Sequence, residues 1–187
     1  SSFSEHFEIV ALAAGKNTDL LTKQILTFKP KAVCVENKDH LDLLTAHSFS
    51  HNMDGYYGEA GLMNLVSYET DILLVATPGN LAIKAVEKSL DYTTKLALAS
   101  KEILVVAGEF IIPLAKQKNV AILPVDSEHA AIYQLLNHSH KSDLKKITLS
   151  ASGGPFLKRK TLENISPKEA LKHPNWAMGQ KIGRAHV

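Results

Sequence analysis

The sequence predicts an α/β fold: a doubly wound sheet of mostly parallel strands covered by helices over residues 1–125, then the start of a second α/β domain over 126–187. Short apolar runs of strand length alternate with segments of helical period through residue 125, the pattern of repeated strand–helix–strand units. Those runs are apolar at consecutive positions, as in strands buried on both faces. After Asp126 the alternation breaks, which marks the second region.

In chain order, "FEIVALAA" reads as the first buried strand, and Gly15 ends it. "NTDLLTKQILTF" sets Leu20, Leu21, Ile25 and Phe28 at helical spacing behind Asn17, a residue type suited to an N-cap. "KAVCVE" is the next strand and "DHLDLLTAH" a helix, while residues 48–67 are less regular. "DILLVATP" is a strand closed by Pro78 and Gly79. It is followed by the helix "NLAIKAVEKSL", the strand "KLALAS", the helix "EILVVAGEFIIPLAKQK" and the strand "AILPV". Beyond Asp126 come a helix "EHAAIYQLL", a polar turn "NHSHKSD", a strand "KKITLSAS", a loop "GGPFLKRK" and a short helix within "SPKEALKH".

With 187 residues, 45% hydrophobic and 21% charged, the chain can bury a real core and is too apolar for disorder. A formal charge of +2 gives no reason to expect nucleic acid or an anionic membrane as partner. The single Cys34, inside an apolar run, rules out a disulfide framework and suits a reducing compartment. No apolar stretch nears the roughly 20 residues of a membrane span, and the first residues do not read as a signal peptide. A cytoplasmic enzyme or binding protein is expected. The chain opens on Ser1 without Met and closes on the polar "KIGRAHV", so a fragment is expected as well.

Five stretches offer chemistry, and each has a plainer structural reading beside it. "AAGKN" ends an early strand; on a dinucleotide-binding sheet, Gly15, Lys16 and Asn17 with no acidic neighbour favour NADP over NAD, and the alternative is a capped turn. "LASKE" delivers Ser100, Lys101 and Glu102 to a strand's carboxyl end, where Lys101 can face an oxyanion and Glu102 a cofactor, or Ser100 can simply cap the next helix. In "PVDSEH", Asp126 and Glu128 project to one side if the backbone is extended, as a hard divalent cation requires; the alternative is a helix cap with an acidic first turn. "SASGGPF" can bring backbone amides and the Ser152 hydroxyl to an anion, or only turn the chain. "HPNWAMGQK" can close Trp176 over a ligand, or form a surface loop.

Taken together and in order, "ALAAGKN", "LASKE", "LPVDSEHAAIYQLL", "SASGGPF" and "HPNWAMGQKI" resemble the 1-deoxy-D-xylulose 5-phosphate reductoisomerase family. The resemblance implies a Rossmann-like NADPH-binding domain, here truncated, followed by a catalytic domain. It implies reduction and rearrangement of 1-deoxy-D-xylulose 5-phosphate to 2-C-methyl-D-erythritol 4-phosphate, a step of isoprenoid precursor synthesis. By the family pattern Gly15, Lys16, Asn17, Ser100, Glu102 and Gly179 face NADPH, while Lys101, Ser127, Glu128, Ser152 and His173 face the sugar phosphate. Asp126 and Glu128 bind Mg²⁺ or Mn²⁺, and Lys101 and Glu128 are the residues assigned to catalysis. A homodimer in the cytoplasm of a bacterium, or in a plastid stroma, is the implied setting of the whole enzyme.

Ser100 departs from the family, many of whose members have Asn there. The family's glycine-rich phosphate loop is expected before Ser1, and a third metal carboxylate is expected after "MGQKI", where only "GRAHV" follows. That ending matches one reading frame of a common sequencing adapter. On this reading the chain by itself is expected to be inactive. The competing readings are another NADP-dependent dehydrogenase, against which "LPVDSEH" speaks, and a non-catalytic nucleotide-binding module.

Overall fold

The computed structural model describes residues 5–48, 53–77, 81–137, 139–149 and 154–172. The chain forms two compact units, Ser1–Val125 and Asp126–Val187. Among the described residues no helix is long and apolar enough to cross a membrane.

The first unit contains two parallel three-stranded sheets. One has the order β1 (Ala11–Ala13), β2 (Ala32–Val35), β3 (Asp54–Tyr57); the other β4 (Thr70–Val75), β5 (Thr93–Leu98), β6 (Ala121–Pro124). Each connection is a crossover helix: α1 (Thr18–Phe28), α2 (Lys38–Ser48), α3 (Gly58–Leu65), α4 (Ile83–Ser89) and α5 (Glu102–Gln117). Strand–helix alternation with parallel pairing is the expected α/β plan.

β2 is buried at all four positions because both faces of its sheet are covered. Val33 and Val35 pack with Leu21 and Ile25 of α1 and Leu44 of α2, whereas Ala32 and Cys34 pack with Leu65 of α3 on the other face. α3 lies very close to the sheet: a Cβ on Gly61 would sit 2.9 Å from Tyr56 Cβ and 3.3 Å from Cys34 Sγ. Burial pushes the Cys34 thiol up to about 11, which keeps it neutral and poorly reactive. In the second sheet, Val75, Leu96 and Leu98 form one core with Val86 of α4 and Ile103, Ala107, Ile111 and Ala115 of α5. That burial offsets the helix-interior Pro113, which lacks an N–H and by itself costs about 3 kcal/mol.

The irregular stretch 48–67 contains β3 and α3. Gly58, at φ +67°, makes the sharp turn between them. The second unit holds α6 (Ser127–Leu136), a short 3₁₀ turn (Lys141–Asp143) and α7 (Pro167–Ala170). Of the strand expected at "KKITLSAS", residues 145–149 carry no strand pairing among the described residues, Ile147 and Leu149 are about half exposed, and the rest lies outside the described residues. An alternating apolar pattern makes a strand only when a neighbouring strand accepts its backbone hydrogen bonds.

Candidate active site

The β1–α1 junction presents Gly15, Lys16 and Asn17, all exposed, at the carboxyl end of β1. Asn17 caps α1, its Oδ1 accepting from Leu20 N–H at 3.1 Å. Gly15 lies outside the left-handed region, and a Cβ built there meets nothing within 4 Å. Neither backbone nor packing within the described chain requires a glycine at that point.

At the carboxyl end of β5, Ser100 is 5% exposed and does not cap α5 as its type suggested; the N-cap position is Lys101, with no side-chain cap. The Ser100 hydroxyl instead donates to the carbonyl of Thr77, just past β4, and its own N–H reaches Val75 O at 3.3 Å. This ties the ends of β4 and β5 together, so the short side chain has a structural task, while its oxygen keeps lone pairs for a further donor. Lys101 and Glu102 follow directly, at the start of α5. Sequence reasoning missed Thr77, whose buried hydroxyl has no hydrogen-bond partner among the described residues.

The "DSEH" turn opens α6. Its backbone is not extended through Glu128: Asp126 is the N-cap (φ −54°, ψ 135°), and Ser127 and Glu128 already belong to the first helical turn. Asp126 Oδ1 accepts from His129 N–H at 3.3 Å, and Ser127 Oγ donates to Glu128 Oε2 at 2.8 Å. The helix cap therefore exists, but by a route that keeps both carboxylates within one turn. A charged cap also gains from the partial positive charge of the helix N-terminus. Among the described residues no group of three or more His, Cys, Asp and Glu is placed to hold a metal.

Ser152, His173, Trp176 and Gly179 lie outside the described residues. A feature with no signal in the sequence is the cluster on the α3 side of β3. There Tyr68 donates to Asp54 and sits 3.3 Å from Tyr56 Oη, beside a cavity of about 320 Å³ lined by Tyr56, Asn64, Ser67 and Tyr68. Burial, then the hydrogen bonds to Asp54 and Tyr56, hold the Tyr68 hydroxyl above its usual range.

Known proteins resemble the chain throughout. A family model for 1-deoxy-D-xylulose 5-phosphate reductoisomerase matches residues 1–108, and a model for that enzyme's C-terminal domain matches 122–184. The reductoisomerase of Agathobacter rectalis is 45% identical over 178 residues, which are 94% of this chain and 47% of that protein. That of Thermoanaerobacter sp. is 41% identical over 183 residues, 97% of this chain and 48% of that protein. Among solved structures, the Zymomonas mobilis reductoisomerase in complex with NADPH superimposes with a TM-score of 0.79 at 27% identity, over 92% of this chain and 46% of that one. A reductoisomerase in complex with NADPH, fosmidomycin and magnesium gives 0.75 at 33% identity, over 96% of this chain and 47% of that one. The chain thus spans about half the length of the relatives it matches. By sequence and by fold, it belongs to the 1-deoxy-D-xylulose 5-phosphate reductoisomerase family.

Proposed function

We propose that this chain supplies the NADPH-binding region, 1–125, and the first part of the catalytic region, 126–187, of an enzyme that converts 1-deoxy-D-xylulose 5-phosphate to 2-C-methyl-D-erythritol 4-phosphate. The observation that supports this best is the order of chemistry along the fold. Lys16 and the Ser100–Glu102 turn lie at carboxyl ends of parallel strands, where such sheets bind ligands, and the Asp126–Glu128 turn follows immediately after the last strand.

In this reading Gly15 leaves room for close approach of a nucleotide, and Lys16 places its charge to meet a 2′-phosphate. Asn17 is spoken for at Oδ1 by the α1 cap, so its amide nitrogen is the group offered to the cofactor. Ser100 and Glu102 orient the cofactor from β5, and Lys101 adds positive charge where oxyanion character develops. NADPH supplies the hydride. Asp126 and Glu128, together with the third carboxylate expected after "MGQKI", would hold Mg²⁺ or Mn²⁺, which would supply a Lewis acid for substrate oxygens. Ser127 and Glu128 also meet the substrate, and Ser152, His173 and Gly179 keep the phosphate, substrate and cofactor contacts of the family pattern. The whole enzyme acts as a cytoplasmic homodimer on a small sugar phosphate, with neither nucleic acid nor membrane as partner. The chain alone is expected to bind nucleotide without turning substrate over.

The test is a titration of the chain with NADPH and NADH, read by tryptophan or nicotinamide fluorescence. Tighter binding of NADPH is expected, and Lys16→Ala should remove about tenfold of that preference, on the order of 1.4 kcal/mol. Equal affinity for both nucleotides in the unmutated chain would sink the proposal.

A further inference from the structure

We propose that the cavity beside Tyr56 and Tyr68 is a binding site for a small organic cation, an ammonium or guanidinium group on a compact carrier, separate from the residues assigned to nucleotide and metal. The cavity, of about 320 Å³, is lined by Tyr56, Asn64, Ser67 and Tyr68. That volume is at the small end of ligand sites. Asp54 opens β3 and Tyr68 stands just before β4, so the cluster lies toward the amino ends of these parallel strands. Gly15, Lys16 and the Ser100–Glu102 turn lie at carboxyl ends, on the opposite rim.

The direction of the hydroxyl protons decides the charge of the ligand. Tyr68 gives its one proton to the Asp54 carboxylate, so in the 3.3 Å contact between the two phenols Tyr56 donates and Tyr68 accepts. Ser67 likewise commits its proton, to the Met63 carbonyl at 3.0 Å. The hydroxyls around the cavity therefore offer it lone pairs only, and Asn64 can turn its amide oxygen the same way. Negative charge stands behind those lone pairs. Asp54 is reached through Tyr68, and among the described residues it pairs with no cation. Lys31, whose carbonyl accepts from Asp54 N–H at 2.9 Å, aims its ammonium at Glu8 instead, 3.9 Å away. The cavity also adjoins the C-terminal end of α3, where the helix carries partial negative charge. Burial and the bonds to Asp54 and Tyr56 keep the Tyr68 proton bound above its usual range, so the relay persists. An anion would meet acceptors and like charge here, whereas a cation rich in N–H donors finds a partner for each.

The experiment titrates the 187-residue chain with methylguanidinium and with its neutral analogue methylurea at constant ionic strength. Backbone amide signals of Tyr56, Asn64, Ser67 and Tyr68 are followed by nuclear magnetic resonance, with circular dichroism as the check on folding. Methylguanidinium should shift these signals together and saturably, and methylurea should not. Asp54→Asn should weaken methylguanidinium binding about fivefold, the scale of one exposed charge contact. Tyr68→Phe, which keeps the ring and cuts the link to Asp54, should weaken it as well. In the unmutated chain, an equal response to methylurea or none to methylguanidinium would overturn the proposal without recourse to any variant. Unchanged affinity in either folded variant would refute it too, by leaving the cation attracted to the surface at large. Saturable shifts of the same signals with methyl phosphate would reverse the assigned charge and end the proposal.

Discussion

The two units of the chain are held together by different physics. In Ser1–Val125 the stabilising contacts are long-range: α1, α2 and α3 enclose one sheet, and α4 and α5 cover a face of the other. Every fully buried apolar side chain among the described residues lies between Leu21 and Val120. In Asp126–Val187 the described elements are held chiefly at their ends by local bonds. Asp126 caps α6, and Ser166 and Glu169 form a reciprocal capping box on α7, with Arg159 paired to Glu169 at 3.1 Å. The difference teaches that stability in the first unit rests on long-range burial and in the second on local caps. A mutation of a buried residue in the first unit should act through the whole fold, and one at a cap in the second through a single turn.

The sharpest way to break that contrast is a matched pair of leucines. Leu96, fully buried at the centre of β5, should cost about 2–5 kcal/mol when changed to alanine. Leu135, 78% exposed on α6, should stay within about 0.5 kcal/mol. Denaturant unfolding of both variants checks this, and similar costs would show that the second unit has packing of its own at α6. Next in size is Gly61→Ala. The added methyl would meet Tyr56 Cβ at 2.9 Å on a rigid strand, so destabilisation of about 1–3 kcal/mol is expected, measured as a lowered melting temperature. No change would mean that α3 can lift from the sheet.

The smallest effect belongs to the α7 capping box. Hydrogen bonds from Ser166 and then the Arg159 guanidinium hold the Glu169 carboxyl below its ordinary value of 4.5. The folded turn therefore favours the charged form. The box is at full strength above pH 4.5 and is lost as the pH falls through the lowered value. Amide shifts of Ser166 and Glu169 in an acid titration should move together below pH 4.5 while Leu96 does not respond. A Leu96 amide that follows them would join the two units thermodynamically.

Much of this architecture was legible in the residues because it follows from local rules. The consecutive apolar runs announced β2, β4 and β5 as strands, but burial at every position holds for β2 and fails for β4, whose Ile72 and Leu74 are exposed. Asn17 and Asp126 announced two helix starts by side-chain chemistry alone. The order of the five motifs "ALAAGKN", "LASKE", "LPVDSEHAAIYQLL", "SASGGPF" and "HPNWAMGQKI" carried the family, which the matches over residues 1–108 and 122–184 establish. β3 was not legible, since "DGYY" is short and of mixed polarity and becomes a strand only through pairing with β2, Cys34 opposite Tyr56. The opposite error fell on residues 145–149, which have the pattern of a strand but no described partner.

At the candidate site the same division holds. Residue types and their spacing determined on their own which groups could do chemistry, because a carboxylate, a lysine or a glycine has that capacity wherever it lies. Only the tertiary structure decided how those groups are used. It sent the Ser100 hydroxyl to a carbonyl 23 residues away, and it decided for the helix cap over the extended backbone at Asp126–Glu128, the two alternatives the residues left open. These are choices among partners, and a partner is determined by where the fold brings two parts of the chain together.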